Sequence, residues 1–228
     1  MSKEILEKEG QAQAEEPARD QALSTDKSEA AVCGPSSPSL NNRTLRLNAK
    51  WTIWFDNPRL APAGSDWKEN LKQCGSFDTV ESFWRVFNNL KPASELSMNS
   101  NYSVFRYGVE PSWEDLSNCD GGKFVLTIPK KDSKSGKCDE SWLFTVLAIV
   151  GETMDGTGDQ VNGAVVSIRK QQDRIALWLK NSDREICVQV GERWKKVLSL
   201  EKTTLRYQTH RDAAASGRSF RNEVHFEV

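Results

Sequence analysis

The chain has no apolar run of membrane-spanning length, only two histidines, and five cysteines that never pair as Cys-x-x-Cys. Each shortage removes a class. No stretch is apolar and long enough to cross a membrane as a helix, and the charged opening, Met1 to Gly10, is unlike a secretory leader. The odd-numbered, scattered cysteines (Cys33, Cys74, Cys119, Cys138, Cys187) suggest neither a disulfide framework nor a zinc site. They fit reduced thiols in a cytoplasmic or nuclear compartment. His210 and His225 lie close to the C-terminus and offer little material for a serine-histidine-acid triad or a histidine metal site. Neither metal, cofactor nor catalysis is expected. Net charge is also scarce: residues 1 to 43 hold five basic and eight acidic side chains, leaving 26 basic and 24 acidic, a net of +2. A general nucleic-acid binder would carry a larger basic excess, so any such contact should be local and short. What the sequence has in excess is tryptophan, with eight.

A length of 228 residues suits one domain of ordinary size with a tail. Residues 1–43, rich in Glu, Gln, Ala, Ser and Pro, read as a disordered N-terminal arm; residues 44–228 form the domain, with a flexible segment from about 211. Leu45, Leu47, Trp51, Ile53 and Phe55 fall at alternate positions, the period of a half-buried strand, which sends Arg46, Asn48, Lys50 and Thr52 toward water. A Pro, Ala, Gly and Ser loop follows from Pro58 to Asp66. Asp78 and Glu81 predict a capped helix whose apolar face is Val80, Phe83, Trp84 and Phe87, ending by Leu90. Further helices are expected over about 140–150, stopped by Gly151, and 184–198 despite Gly191. Strands are expected over 102–106, 123–129, 163–169, 174–180 and 204–207. Short strands with three helices argue for an α+β domain, an antiparallel sheet covered on one face. No heptad or dimer surface is evident, so a monomer is expected.

Indoles in periodic strands and helices belong to a core. Trp67 and Trp113 instead sit in polar loops, one after Pro62-Ala63-Gly64-Ser65-Asp66, the other in Glu110-Pro111-Ser112-Trp113-Glu114-Asp115. Taken alone, such a ring covers the edge of a core as readily as it meets a ligand. A pair in separate loops makes a stacked base the sharper reading, each contact being worth about 1–3 kcal/mol. A cationic base gains a further ~0.5–2 kcal/mol from the indole face. Glu114 offers a carboxylate able to accept the N1 and amino hydrogens of guanine together, a donor pair adenine lacks. Arg169 and Arg174 flank the polar turn Lys170-Gln171-Gln172-Asp173, where guanidinium groups suit phosphate oxygens. Solvated loop acids and hairpin tips are the bland alternatives.

The order Trp51-Thr-Ile-Trp54-Phe55, Phe77-Asp-Thr-Val80-Glu-Ser-Phe-Trp84, Tyr102-Ser-Val-Phe105, Glu110-Pro-Ser-Trp113-Glu114-Asp115, Gly121-Gly122-Lys123, Gly163-Ala-Val-Val-Ser-Ile-Arg169 and Ile175-Ala-Leu-Trp178 resembles the eukaryotic translation initiation factor 4E cap-binding family over about residues 44–212. The resemblance implies a curved antiparallel sheet of about eight strands with three helices on its convex face. It implies a 7-methylguanosine cap stacked between Trp67 and Trp113, Glu114 on the guanine edge, Trp178 at the N7-methyl group, and Arg169 and Arg174 on the phosphates. Val80, Trp84 and Leu143 would receive the Tyr-x-x-x-x-Leu-hydrophobic helix of a 4G-type scaffold or a 4E-binding protein. Several positions depart from the pattern: Phe124 follows Lys123 where a tryptophan is usual, Gln171 replaces a basic residue, and Arg174 replaces a lysine. The His-Pro usual before the first strand is absent from Leu45-Arg46-Leu47-Asn48, Phe144 stands where an acid is common, and Arg218 takes the place of a phosphorylated serine. The implied activity is cap binding in translation initiation. A cap-binding repressor without productive scaffold contact is the nearer alternative. A cap-processing enzyme lacks its acidic or histidine cluster, and a binding domain without nucleotide is the remaining one.

Overall fold

A computed structural model describes residues 44–60, 67–217 and 222–228. The expected N-terminal arm, Ala61 to Asp66 of the first loop, and Arg218 and Arg221 lie outside the described residues, and Trp67 is described in its backbone only. One compact unit covers Arg43–Val228. Its centre is a single curved sheet of eight strands, all neighbours antiparallel, in the order β2-β1-β3-β5-β6-β4-β7-β8. The strands are β1 Arg46–Asp56, β2 Lys72–Thr79, β3 Asn101–Arg106, β4 Gly122–Pro129, β5 Val161–Ser167, β6 Gln172–Leu179, β7 Arg206–Thr209 and β8 Phe226–Glu227. Five helices occur among the described residues rather than three: α1 Val80–Phe87, α2 Lys130–Lys134, α3 Lys137–Val150, α4 Arg184–Val197 and α5 His210–Ser216. The three longest are the expected ones; α2 and α5, of five and seven residues, are too short to show an apolar stripe.

Alternation along each strand divides the sheet into two faces. Trp51 and Ile53 of β1, Tyr102 and Val104 of β3, Ala164 and Val166 of β5, Ile175 and Leu177 of β6, and Phe124 and Leu126 of β4 enter one core with Phe83, Trp142, Val146, Ile149, Val190 and Trp194 from the helices. Trp194 Nε1 donates to Thr145 Oγ1 at 2.9 Å, which ties α4 to α3 and satisfies the indole. The expected weak point of α4, Gly191, lets the helix lie close against the sheet: a Cβ there would lie 2.8 Å from Phe124 Cζ and 2.7 Å from Val228 Cγ2.

Sequence expectations shift at α1 and in β1. The cap of α1 is Thr79, not Asp78: Thr79 and Ser82 exchange the capping hydrogen bonds, Ser82 N donating to Thr79 Oγ1 at 3.1 Å. Glu81, expected to reach back to that cap, accepts the Leu45 amide just ahead of β1 at 3.1 Å. Thr52 does not face water; it is buried on the concave face, its hydroxyl 2.9 Å from Ser76 Oγ of β2. Beyond residue 211 the described residues complete α5 and then form β8, whose Phe226 ring stacks on Tyr207 at 4.5 Å.

Candidate functional site

The register lays the concave side chains out in rows. Thr52, Phe105, Gly163, Trp178, Lys123 and Gln208 form one; Trp54, Ser103, Val165, Ala176 and Val125 the next; Asp56, Asn101, Ser167, Arg174 and Thr127 the third. Gly163 leaves room for the Phe105 ring, which a Cβ would meet at 2.5 Å. Phe105 in turn packs edge-on against Trp178, with centroids 5.3 Å apart at 78°. Trp178 is buried in the floor, and its indole N–H meets no acceptor among the described residues. His210 lies tilted over it at 4.0 Å, and Lys123 Nζ is 5.5 Å from its ring centre. Burial pushes Lys123 down to about 8, with Arg174 adding to the shift. Burial and then Lys123 push the His210 imidazole down to about 3, opposed by a backbone contact to Gly122.

Two connections approach this floor. The β3–β4 loop is held by its own polar side chains. Asp115 accepts the amides of Glu110 and Ser117 at 2.9 and 2.8 Å. The buried Asn118 amide donates to the carbonyls of Glu110 and Ser112 at 2.9 and 2.8 Å and accepts from Asn162 Nδ2 of β5 at 3.0 Å. Trp113 is thus carried on a preset loop. Ser112 Oγ donates to Glu114 Oε2, which fixes one oxygen of an otherwise exposed carboxylate. The β1–β2 connection ends in a 3-10 turn, Trp67–Asn70, whose Lys68 ammonium bridges to Glu110 at 2.9 Å. That ion pair links the two loops. Both side chains are about half exposed, so it contributes at most ~1 kcal/mol.

The β5–β6 turn is braced from beneath. Asp173, fully buried, accepts from Lys130 Nζ at 2.6 Å, from the Arg169 amide at 2.9 Å and from Ser133 Oγ at 2.5 Å. The Arg169 guanidinium folds back over the sheet: Nη1 donates to the Ser100 and Ile168 carbonyls at 3.3 and 3.0 Å, Nη2 to Asn101 Oδ1 at 2.8 Å.

A cavity of about 340 Å³ results, lined by Trp113 and Glu114 at one end, Arg169 at another and Trp178 in the floor, with Asp56, Asn101, Ser103 and Ser167 among its walls. Four of the six residues expected to form a nucleotide site therefore share one cavity. Arg174 stands in the same row as Asn101 and Ser167; of Trp67 only the backbone position is described. Sequence reasoning missed Asp56, Asn101, Lys123, His210 and Asp173. Asp56 and Asn101 are polar positions on strands whose other face is apolar, a pattern that marks their face of the sheet but not the cavity there. An aromatic wall, a carboxylate and a fixed guanidinium around one slot can hold a flat base with donor hydrogens and a phosphate tail.

On the opposite face, α1 presents Val80 and, one turn on, Trp84, which is 36% exposed and edge-packed on Phe83 and Phe87 at 4.8 and 6.2 Å. Leu143 of α3 lines a cavity of about 540 Å³ with Phe87, Leu90, Tyr102, Trp142 and Phe144. The expected convex residues thus lie on neighbouring helices.

The family model "Eukaryotic initiation factor 4E" matches residues 46–225. The chain is 42% identical over 173 residues to eukaryotic translation initiation factor 4E-1 of Schizosaccharomyces pombe, a match spanning 75% of this chain and 78% of that protein. Among solved structures, Caenorhabditis elegans eIF4E-3 in complex with the 4E-binding protein Mextli aligns with a TM-score of 0.73 at 30% identity, over 82% of this chain and all of that one. Ascaris suum eIF4E-3 in complex with the m7G cap aligns with a TM-score of 0.72 at 29% identity, over 82% of this chain and 98% of that one.

Proposed function

The chain belongs to the eukaryotic initiation factor 4E family, and on that premise we propose that it binds the 7-methylguanosine 5′ cap of messenger RNA, with the base held between Trp67 and Trp113, and brings it to a scaffold factor for translation initiation. This is a family of initiation factors, not of enzymes, and the role requires binding alone. The observation that carries the reading is the convergence of Trp113, Glu114, Arg169 and Trp178 on one concave cavity. Methylation at N7 gives the base a positive charge, which the indole faces attract electrostatically as well as by stacking. Glu114 accepts the N1 and amino hydrogens of guanine in a paired, charge-assisted contact. Arg169 and Arg174 meet the phosphates from the third row and its turn. The m7G complex of the Ascaris suum relative supports this use of the fold.

Titration with 7-methylguanosine triphosphate, followed by intrinsic tryptophan fluorescence, tests it. Quenching is expected, with clear preference over unmethylated nucleotide. Trp113→Ala should lose about 1–3 kcal/mol of binding, roughly five- to 150-fold, and Glu114→Ala should weaken guanine recognition in the same range. An unchanged emission on titration sinks the proposal.

For the convex face we assign scaffold docking to Val80, Trp84 and Leu143, supported by the complex of the Caenorhabditis elegans relative with a 4E-binding protein. A second reading, a cap-binding repressor, is favoured by Phe144, 41% exposed beside Leu143 where it alters the chemistry of that surface. Pull-down with a Tyr-x-x-x-x-Leu-hydrophobic scaffold peptide separates them: capture that is lost in Trp84→Ala supports the activator, and no capture by the wild type supports the repressor.

A further inference from the structure

The third concave row carries opposite charges on separate strands, Asp56 on β1 and Arg174 on β6, with Asn101 and Ser167 between them. Asp56 is the anomaly, because a carboxylate in the wall of a cavity that receives phosphates repels its ligand unless it meets a donor. Burial raises its pKa above the ordinary carboxylate value, while the bond from Asn101 and the charge of Arg169 restrain the shift. Asn101 Nδ2 donates to Asp56 Oδ2 at 2.8 Å, and Asn101 Oδ1 accepts from Arg169 Nη2 at 2.8 Å. The amide is therefore turned so that carboxylate and guanidinium are held side by side without touching. Oδ1 of Asp56 receives no hydrogen bond from the described residues, and the side chain lines the cavity.

A nucleotide offers hydrogen-bond donors in two places, the base edge and the ribose hydroxyls. Glu114 takes the first. A ligand with its base at Trp113 and Glu114 and its phosphates at Arg169 lays its ribose along the wall that joins them, and Asp56, Asn101 and Ser103 are the polar groups of β1 and β3 in that wall. Carboxylates that read ribose hydroxyls are a recurrent device of nucleotide sites, because the vicinal diol presents two donors to one acceptor group.

Building on the cap-binding reading, we infer that Asp56 accepts hydrogen bonds from the 2′ and 3′ hydroxyls of the 7-methylguanosine ribose, so that the site selects an unmodified ribose as well as a methylated base. The competing role is purely positional: Asp56 fixes Arg169 through Asn101 and never meets the ligand.

The full chain is titrated with 7-methylguanosine triphosphate and with its 2′,3′-dideoxy counterpart, for wild type, Asp56→Ala and Asp56→Asn, with thermal melting to confirm that each variant is folded. Hydrogen bonds to a charged group give an expected loss of about tenfold when the wild type meets the dideoxy nucleotide. Asp56→Ala should bind both nucleotides equally. Asp56→Asn, which keeps the shape and one acceptor, should fall between them and carries the test if the alanine variant does not fold. Equal binding of both nucleotides by the wild type overturns the inference and leaves cap binding intact, as does discrimination that persists in Asp56→Ala. An Asp56→Ala effect on both nucleotides alike, with wild-type discrimination absent, assigns the residue to Arg169 alone. Failure of the wild type to bind either nucleotide overturns the cap-binding proposal itself.

Discussion

Replacing Asp173 by alanine should damage the fold and one end of the site together. Its buried carboxylate serves three donors, the Lys130 ammonium, the Ser133 hydroxyl and the Arg169 amide, at 2.5–2.9 Å. Truncation strands all three. Removing one partner of a fully buried ion pair costs about 3–5 kcal/mol. The Lys130 side chain is 29% exposed and regains some water, which lowers the expected cost to roughly 2–3 kcal/mol. For a folded unit of this size each kcal/mol moves the melting midpoint by about 2–4 °C, so calorimetry should show a fall of roughly 4–12 °C. The second consequence is specific to place. The Arg169 backbone is pinned by this carboxylate, whereas Trp113 and Glu114 ride on a loop held by Asp115 and Asn118. Measured well below the melting range, affinity for 7-methylguanosine triphosphate should drop by about tenfold while that for the 7-methylguanosine nucleoside stays nearly constant. A midpoint shifted by less than about 2 °C, or equal losses for nucleoside and triphosphate, would refute the idea that Asp173 braces the phosphate end.

Gly191→Ala trades a gain of about 1 kcal/mol in helix propensity against a Cβ driven into Phe124 and Val228, so a net loss of up to ~2 kcal/mol is expected and a stabilised variant would show that α4 can lift from the sheet. His210, depressed from 6.5 to about 3 in the folded state, favours folding as the neutral ring. Its contribution is whole above pH 6.5 and is lost as pH falls toward 3, because the unfolded chain binds the extra proton; between pH 6.5 and 4.5 the stability slope should exceed that of His210→Gln by up to ~1.4 kcal/mol per pH unit, and parallel slopes in denaturant titrations would contradict it.

The parts of the fold legible in the sequence were those with one wet face and one dry one. The period-two pattern of β1 and the apolar stripe of α1 declare themselves in this way, and α3 and α4 emerge within a few residues of their expected ends. β2 was missed because Lys72, Gln73 and Cys74 at its start are all exposed, as suits an edge strand, and show no alternation. The cap of α1 slipped by one residue because Asp78 and Thr79 are adjacent residues that can both cap, and the Leu45 amide, brought up just ahead of β1, holds Glu81. In the site, Trp113 and Glu114 stood out as an indole and an acid side by side in a polar loop, while Trp178 was reached only through family resemblance. Asp56 and Asn101 stayed hidden for a physical reason. Alternation separates apolar positions from polar ones, but on a cupped sheet the polar side is a walled cavity, and sequence spacing carries no sign of curvature.

That cavity also accounts for the modest charge of the domain. A guanidinium has five N–H donors. In Arg169 two on Nη1 go to the Ser100 and Ile168 carbonyls and one on Nη2 goes to Asn101, which among the described residues leaves Nε and the second Nη2 hydrogen. Those two are geometrically able to form the paired edge that suits a phosphate. An arginine held by three bonds before the ligand arrives loses little rotamer freedom on binding, a saving of about 0.5–1.5 kcal/mol for each side chain so fixed. A loose cluster of lysines would need greater excess charge to reach the same affinity, and would bind any polyanion. With one braced arginine beside a single aromatic slot, a net of +2 outside the first 43 residues suffices, and selectivity rests on the base rather than on the charge of the chain.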